Sequence, residues 1–173
     1  MKRLILLRHA KTEPWFEGVD DHGRALTDRG RSDGVLMAET LLGMGWVPDT
    51  VLVSSARRAR ETWGAAVTVF PAAQYHLEDD LYLAGAHGIE QMVSQNDETP
   101  SVMVIGHNPG IHDFGCSILR IAGSLDHHAA LRLTEKFPTG CAALFEAEDD
   151  AAFSPAGFKL ADVIRPKGLR NET

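Results

Sequence analysis

Three short apolar runs in this chain each break off at a cationic or hydroxyl side chain. Leu4-Ile5-Leu6-Leu7 gives way to Arg8-His9, and Val51-Leu52-Val53 to Ser54-Ser55, with Arg57 and Arg58 just beyond. Val102-Met103-Val104-Ile105-Gly106 gives way to His107-Asn108-Pro109-Gly110. A neutral imidazole whose second nitrogen is fixed by a hydrogen bond can act as a nucleophile. A guanidinium offers a planar fork that matches phosphate oxygens. Arg8, His9, Arg58 and His107 around one crevice would suit a phosphoryl group. Taken singly, each is equally readable as a solvated polar residue at a strand end.

The elements that would bring them together follow from the same runs. Short β-branched stretches without alternation read as strands buried on both faces, hence a parallel sheet covered by helices. In open α/β sheets, ligands bind beyond the carboxyl ends of the strands. Strands are expected at about 2–7, 50–53, 74–77 and 101–105. Helices are expected from Thr27 as N-cap to about Met44, from a Ser54 or Ser55 cap over 56–67, from His87 or Gly88 to Ser94, and after an Asn108-Pro109 N-cap and N1 pair. Val35, Met37, Ala38, Leu41 and Leu42 approximate the apolar face of the first helix. Residues 142–146 and 158–164 read as an antiparallel pair at the sheet edge, joined by an acidic loop over 148–156. The fold class is therefore α/β, a three-layer sandwich with a mostly parallel sheet and helices on both faces. One domain over 1–165 and a loose polar tail over 166–173 are expected.

Arg57, Arg58 and Arg60 crowd the first turns of the second helix. Cations there oppose the helix macrodipole, by about 0.3–1 kcal/mol each when exposed, and a bound anion removes the conflict. At about 100° per residue the three arginines diverge and cannot all reach one ligand.

Composition sets the outer bounds. A chain of 173 residues with 44% hydrophobic and 24% charged residues is ordinary for a globular protein. A formal charge of −7 argues against binding nucleic acid or an anionic membrane surface. Cys116 and Cys141 lack CxxC spacing and read as reduced thiols rather than a disulfide or zinc site. No apolar run approaches a membrane span or a signal-peptide core, so a cytoplasmic protein is expected. His127-His128, with His112 and Asp113 upstream, lack metal-site spacing. No metal and no cofactor are expected.

Taken in order, Arg8-His9-Ala10, Arg24 to Gly30, Ser54 to Thr62 and Val104 to Pro109 resemble the histidine phosphatase superfamily, with its phosphoglycerate-mutase-like fold. The flavour of these blocks is most similar to the small bacterial phosphohistidine phosphatases of the SixA type. The resemblance runs from Met1 to about Phe145. It implies that His9 is the phosphorylated nucleophile and that Arg8, Arg58 and His107 hold the phosphoryl oxygens. It selects Arg58 over Arg57 and Arg60. Arg24 is an entrance or supporting contact, and Asn108 a further substrate-binding candidate.

Two departures stand out. Ala10 replaces the family's usual glycine. Many family members also carry a glutamate after the third strand as general acid, and Leu83 occupies the best match here. Glu78, Asp79 and Asp80 are close in sequence and could substitute. Leaving-group protonation is typically worth about 10²–10⁴-fold, and a phosphoramidate depends on it less than an ester does. The expected activity is a metal-independent phosphatase acting on phosphohistidine in a protein through a shallow, open site. The alternatives are a phosphatase of a small phosphoester or phosphoanhydride, and a phosphate-binding module that does no chemistry.

Overall fold

The structure, a computed structural model, describes residues 1–148 and 152–170. Six strands form one sheet: β1 Arg3–Arg8, β2 Thr50–Ser54, β3 Gln74–Glu78, β4 Ser101–Gly106, β5 Ala142–Ala147 and β6 Phe158–Ile164. Their order is β3-β2-β4-β1-β5-β6. The first four are mutually parallel, and β5 and β6 run antiparallel at one edge, as the sequence indicated. The helices are α1 Asp28–Gly43, α2 Arg57–Ala66, α3 Ala86–Ser94, α4 Gly110–Ala122, α5 His127–Glu135 and the short α6 Pro166–Leu169.

Side-chain alternation along the strands divides the core into two layers. Leu4, Leu6, Val102, Val104, Ala143 and Phe145 meet Ile89 and Val93 of α3, Phe114 and Ile118 of α4, and Leu133 of α5. Ile5, Leu7, Val51, Val53, Met103 and Ile105 meet Met37 and Leu41 of α1 and Trp63 and Ala66 of α2. Both faces of the central strands are therefore covered, which is why those runs carry no polar alternation. The chain is the expected three-layer α/β sandwich.

Some local readings need correction. Thr27 caps α1 as expected, its hydroxyl accepting from the Gly30 amide. Val35 and Leu42, however, lie on the solvent side of that helix. Neither Ser54 nor Ser55 caps α2, whose N-cap is Ala56. Asn108 does not cap α4, which starts at Gly110 with Pro109 as N-cap. Helix α5 was not anticipated, because Ala129 and Leu133 are the only buried positions in nine otherwise exposed or half-buried residues. The segment expected to be loose after residue 165 begins as α6, with Pro166 buried and Arg170 paired to Asp33. Part of the acidic loop, residues 149–151, and residues 171–173 lie outside the described residues. Among the described residues no helix is long and apolar enough to cross a membrane.

Two glycines allow the close approaches that frame the strand ends. A Cβ on Gly30 would lie 2.1 Å from the Lys11 carbonyl oxygen, and one on Gly110 1.8 Å from that of Ala84. Only glycine lets α1 and α4 sit this close to neighbouring backbone.

Candidate active site

Strands β2, β4 and β1 are consecutive in the sheet, so their carboxyl ends bring Ser54, His107 and His9 side by side. The register pairs Arg8 with Gly106, and the His9 amide donates to the Gly106 carbonyl at 3.1 Å. The two histidines that follow these residues therefore stand one strand spacing apart, ring centroids 5.1 Å from each other.

Hydrogen bonds fix the His9 ring. Its Nδ1 lies 2.8 Å from the Ala10 carbonyl oxygen, which can only accept. Nδ1 thus carries the proton, and Nε2 keeps a lone pair. Burial is the main cause holding His9 down to about 3, with the nearby His107, Arg58 and Arg8 adding to it against the Ala10 bond. The ring is neutral at physiological pH. The Ala10 amide donates to Thr62 Oγ1 at 3.0 Å, and Thr62 donates to the Arg58 carbonyl at 2.7 Å. That link ties the His9 segment to the first turns of α2.

Arg58 is 5% exposed and lies against His107. Its Nε donates to His107 Nδ1 at 3.2 Å, and His107 Nε2 then donates to Ser54 Oγ at 2.7 Å. Both His107 nitrogens are therefore used inside the protein. His107 is neutral too, held down to about 4 by burial first and by the Arg58 charge second. The far edge of Arg58 is held by Asp21: Nη1 donates to its carbonyl at 2.5 Å and Nη2 to its carboxylate at 3.0 Å. Of five guanidinium N–H groups, three are engaged and two remain for a ligand.

Arg8 donates through Nη1 to the Phe137 carbonyl at 2.8 Å, and its Nε is buried with no hydrogen-bond partner. Burial lowers Arg8 from its ordinary value, Cys141 acts in the opposite sense, and the Arg58 charge lowers it further. Two guanidinium groups held this way repel each other, and an anion between them relieves the repulsion. The crevice thus offers unengaged guanidinium donors near a neutral imidazole with a free lone pair. That set can receive a tetrahedral oxyanion and attack its central atom.

The other expected residues lie beside or outside this centre. Asn108 Nδ2 donates to the same Phe137 carbonyl as Arg8, at 2.9 Å, and leaves its buried Oδ1 without a partner. Arg24 does not reach the crevice floor. It grips Asp21 Oδ1, Thr12 Oγ1 and the Glu13 carbonyl from outside. Arg57 pairs with Glu61 and Arg60 is exposed, so the divergence of the three arginines leaves Arg58 alone pointing inward. No hydrogen bond or ion pair joins the side chains of Glu78, Asp79 or Asp80 to the crevice. Leu83 is 68% exposed, with a left-handed φ of 59°.

Sequence reasoning missed Asp21, His22 and Tyr82. Tyr82 donates its hydroxyl to Asp21 Oδ2 at 3.0 Å and meets the His22 and His107 rings edge-on. His22 Nε2 lies 3.1 Å from Ser55 Oγ. Burial raises the Asp21 carboxyl, but the bonds from Arg24 and Tyr82 and the Arg58 charge outweigh it and hold it below its ordinary value. This group packs on the Arg58 side, and His9, Arg58 and His107 at the crevice floor are all at most 7% exposed. Among the described residues no three His, Cys, Asp or Glu side chains converge as metal ligands.

No family model matches the chain. Solved structures and a curated relative do. A candidate phosphohistidine phosphatase SixA from Nakamurella multipartitia superposes with a TM-score of 0.81 at 28% identity, covering 95% of this chain and 96% of that one. A second such candidate, from Agrobacterium tumefaciens, gives 0.79 at 26% identity, covering 95% and 98%. The chain belongs to the histidine phosphatase superfamily. Within the superfamily its likeness is to the SixA proteins, and it is a phosphatase of that superfamily. An uncharacterised chloroplastic protein of Arabidopsis thaliana is 31% identical over 183 residues, 95% of this histidine phosphatase and 78% of the relative.

Proposed function

We propose that this histidine phosphatase hydrolyses phosphohistidine on a protein, by way of a phosphoryl group carried on His9. The observation that carries the reading is the His9 ring itself. Its proton is pinned to the Ala10 carbonyl, and its Nε2 keeps a lone pair close to the Arg8 and Arg58 charges. Nε2 attacks phosphorus in line, forming the P–N bond of phospho-His9 as the bond to the leaving imidazole breaks. That imidazole takes its proton from water. Arg8 and Arg58 hold the phosphoryl oxygens as charge shifts onto them. Water then attacks phospho-His9, its hydroxyl leaves with phosphate while its second proton neutralises the hydroxide from the first step, and Nε2 regains its lone pair.

His107 takes part by orienting Arg58, and reaches a phosphoryl oxygen only by giving up Ser54 or Arg58. Arg24 acts through Asp21. Asn108 Oδ1 is free to accept from a donor on the substrate. The two guanidinium groups supply the charge neutralisation that a metal provides elsewhere, so the reaction proceeds without one. A cytoplasmic setting accords with this chemistry.

The substrate class rests on the missing acid. Leu83 brings no carboxyl, the side chains of Glu78, Asp79 and Asp80 form no hydrogen bond or ion pair with the crevice residues, and Asp21 is held ionised and cannot donate. A phosphoramidate tolerates that loss better than an ester. The Asp21–Tyr82 cover favours the second reading, a small phosphoester or phosphoanhydride, because closure that excludes water aids such reactions. Turnover of a phosphohistidine-bearing protein should exceed that of sugar phosphates by a large factor and persist in EDTA. A preference for sugar phosphates hands the lead to the second reading. Loss in EDTA, restored by zinc or magnesium, overturns metal independence.

A further inference from the structure

A cavity of about 440 Å³ lies on the other side of the β1 carboxyl end from α2, walled by α1, α6 and the turn that leads into β5. Six cationic side chains line it: Lys11, Arg29, Lys136, Arg165, Lys167 and Arg170. The chain has only 17 lysines and arginines and carries a net charge of −7. More than a third of its cations thus surround one concavity. Among the described residues two carboxylates answer them, Asp33 in the wall and Glu135 beside it. Asp33 pairs with Arg170 and, at 3.9 Å, with Arg29, while Glu135 pairs with Arg165 at 3.2 Å and Lys136 at 3.6 Å. With Arg170 set aside, five cations face these two carboxylates, three positive charges in excess among the described residues. Lys11 and Lys167 form no ion pair among the described residues.

Gathering like charges in a concavity has an electrostatic cost that a multivalent anion removes. The volume is that of a small-molecule site rather than an extended peptide groove. The arginine forks of the wall suit phosphate oxygens. We infer that this cavity is a second anion site, separate from the catalytic crevice, that takes a small molecule bearing two or more linked phosphoryl groups. Its position gives the occupant a route to the nucleophile. Lys11 follows His9 by two residues. Thr139 precedes Gly140, whose amide donates to the Arg8 and His9 carbonyls at 3.1 and 3.0 Å.

Inorganic triphosphate is the probe, titrated calorimetrically into the full chain. The catalytic crevice also attracts phosphate, so the titration is repeated on Arg8→Ala/Arg58→Ala protein. Binding should survive there, weaken about tenfold or more when Lys136→Glu and Lys167→Glu are added, and weaken further as salt rises. Both lysines are exposed, so the charge reversals leave the core intact. Lys136→Glu/Lys167→Glu protein should therefore keep the phosphatase activity of the parent in the absence of triphosphate. Binding that vanishes with Arg8 and Arg58 alone places the anion in the catalytic crevice only and overturns the inference. So does triphosphate affinity indifferent to the lysine reversals.

Discussion

Arg58 Nε donates to His107 Nδ1 across 3.2 Å, so the guanidinium keeps its orientation only while the imidazole is neutral. A proton on Nδ1 would set two donors against each other. Burial and the Arg58 charge keep that proton off until about pH 4. Asp21 secures the opposite edge of the same guanidinium, and Ser54 the opposite nitrogen of the same imidazole. The chain Ser54–His107–Arg58–Asp21 thus forms one wall of the crevice.

Removing the Asp21 carboxylate tests that wall. Asp21→Ala should lower kcat/KM roughly 10- to 100-fold, a transition-state loss of about 1.4–2.7 kcal/mol. Stability should fall by no more than about 1 kcal/mol, because the carboxylate is 46% exposed and screened. Steady-state kinetics and urea unfolding separate the two effects.

Ser54→Ala leaves His107 Nε2–H buried without an acceptor, at a cost of about 1–3 kcal/mol. The imidazole is then free to turn and Arg58 loses its support. A fall in kcat of about tenfold is expected, with a melting temperature reduced by several degrees.

Thr62→Val keeps the shape of a side chain 1% exposed and deletes one hydroxyl. The Ala10 amide loses its partner, which costs about 1–3 kcal/mol in urea unfolding. The segment that pins His9 Nδ1 is loosened, so kcat falls along with stability.

Acid acts through His9 and His107. Both bind protons at about 6.5 when unfolded and at about 3 and about 4 when folded. Between pH 6.5 and those values the unfolded chain holds more protons, so stability declines as pH falls through this window. Above pH 6.5 these groups add no slope. A gap of one pH unit between folded and unfolded protonation corresponds to about 1.4 kcal/mol. Urea midpoints measured from pH 4 to 8 should show the decline, and His9→Gln should flatten it. Activity should keep its nucleophile in the active form well below pH 6.

The residues that end strands were legible in the sequence because the sheet imposes a strong pattern. An apolar run that stops at Arg8-His9 or at His107 has its side chains buried on two faces until the strand emerges at the ligand edge. The partners of those residues were not legible. Asp21 reaches Arg58 across 37 residues, and Tyr82 reaches Asp21 across 61, both from irregular segments without periodicity. Ser54 read as a helix cap because a serine before a helix usually is one, and here His107 claims its oxygen instead. Asn108 does not cap either: its Nδ2 donates to the Phe137 carbonyl and its Oδ1 stays without a partner. Helix α5 escaped because two apolar positions in nine residues give no helical stripe.

The central claim is a phosphoryl group on His9. Brief incubation with a radiolabelled phosphohistidine protein, quenched in alkali, tests it most directly. The account predicts label on the chain that survives alkali, is lost in acid, maps to His9 and is absent from His9→Ala, which does not turn over. Turnover that continues in His9→Ala, or turnover by the parent protein with no label on His9 at any quench time, would contradict it.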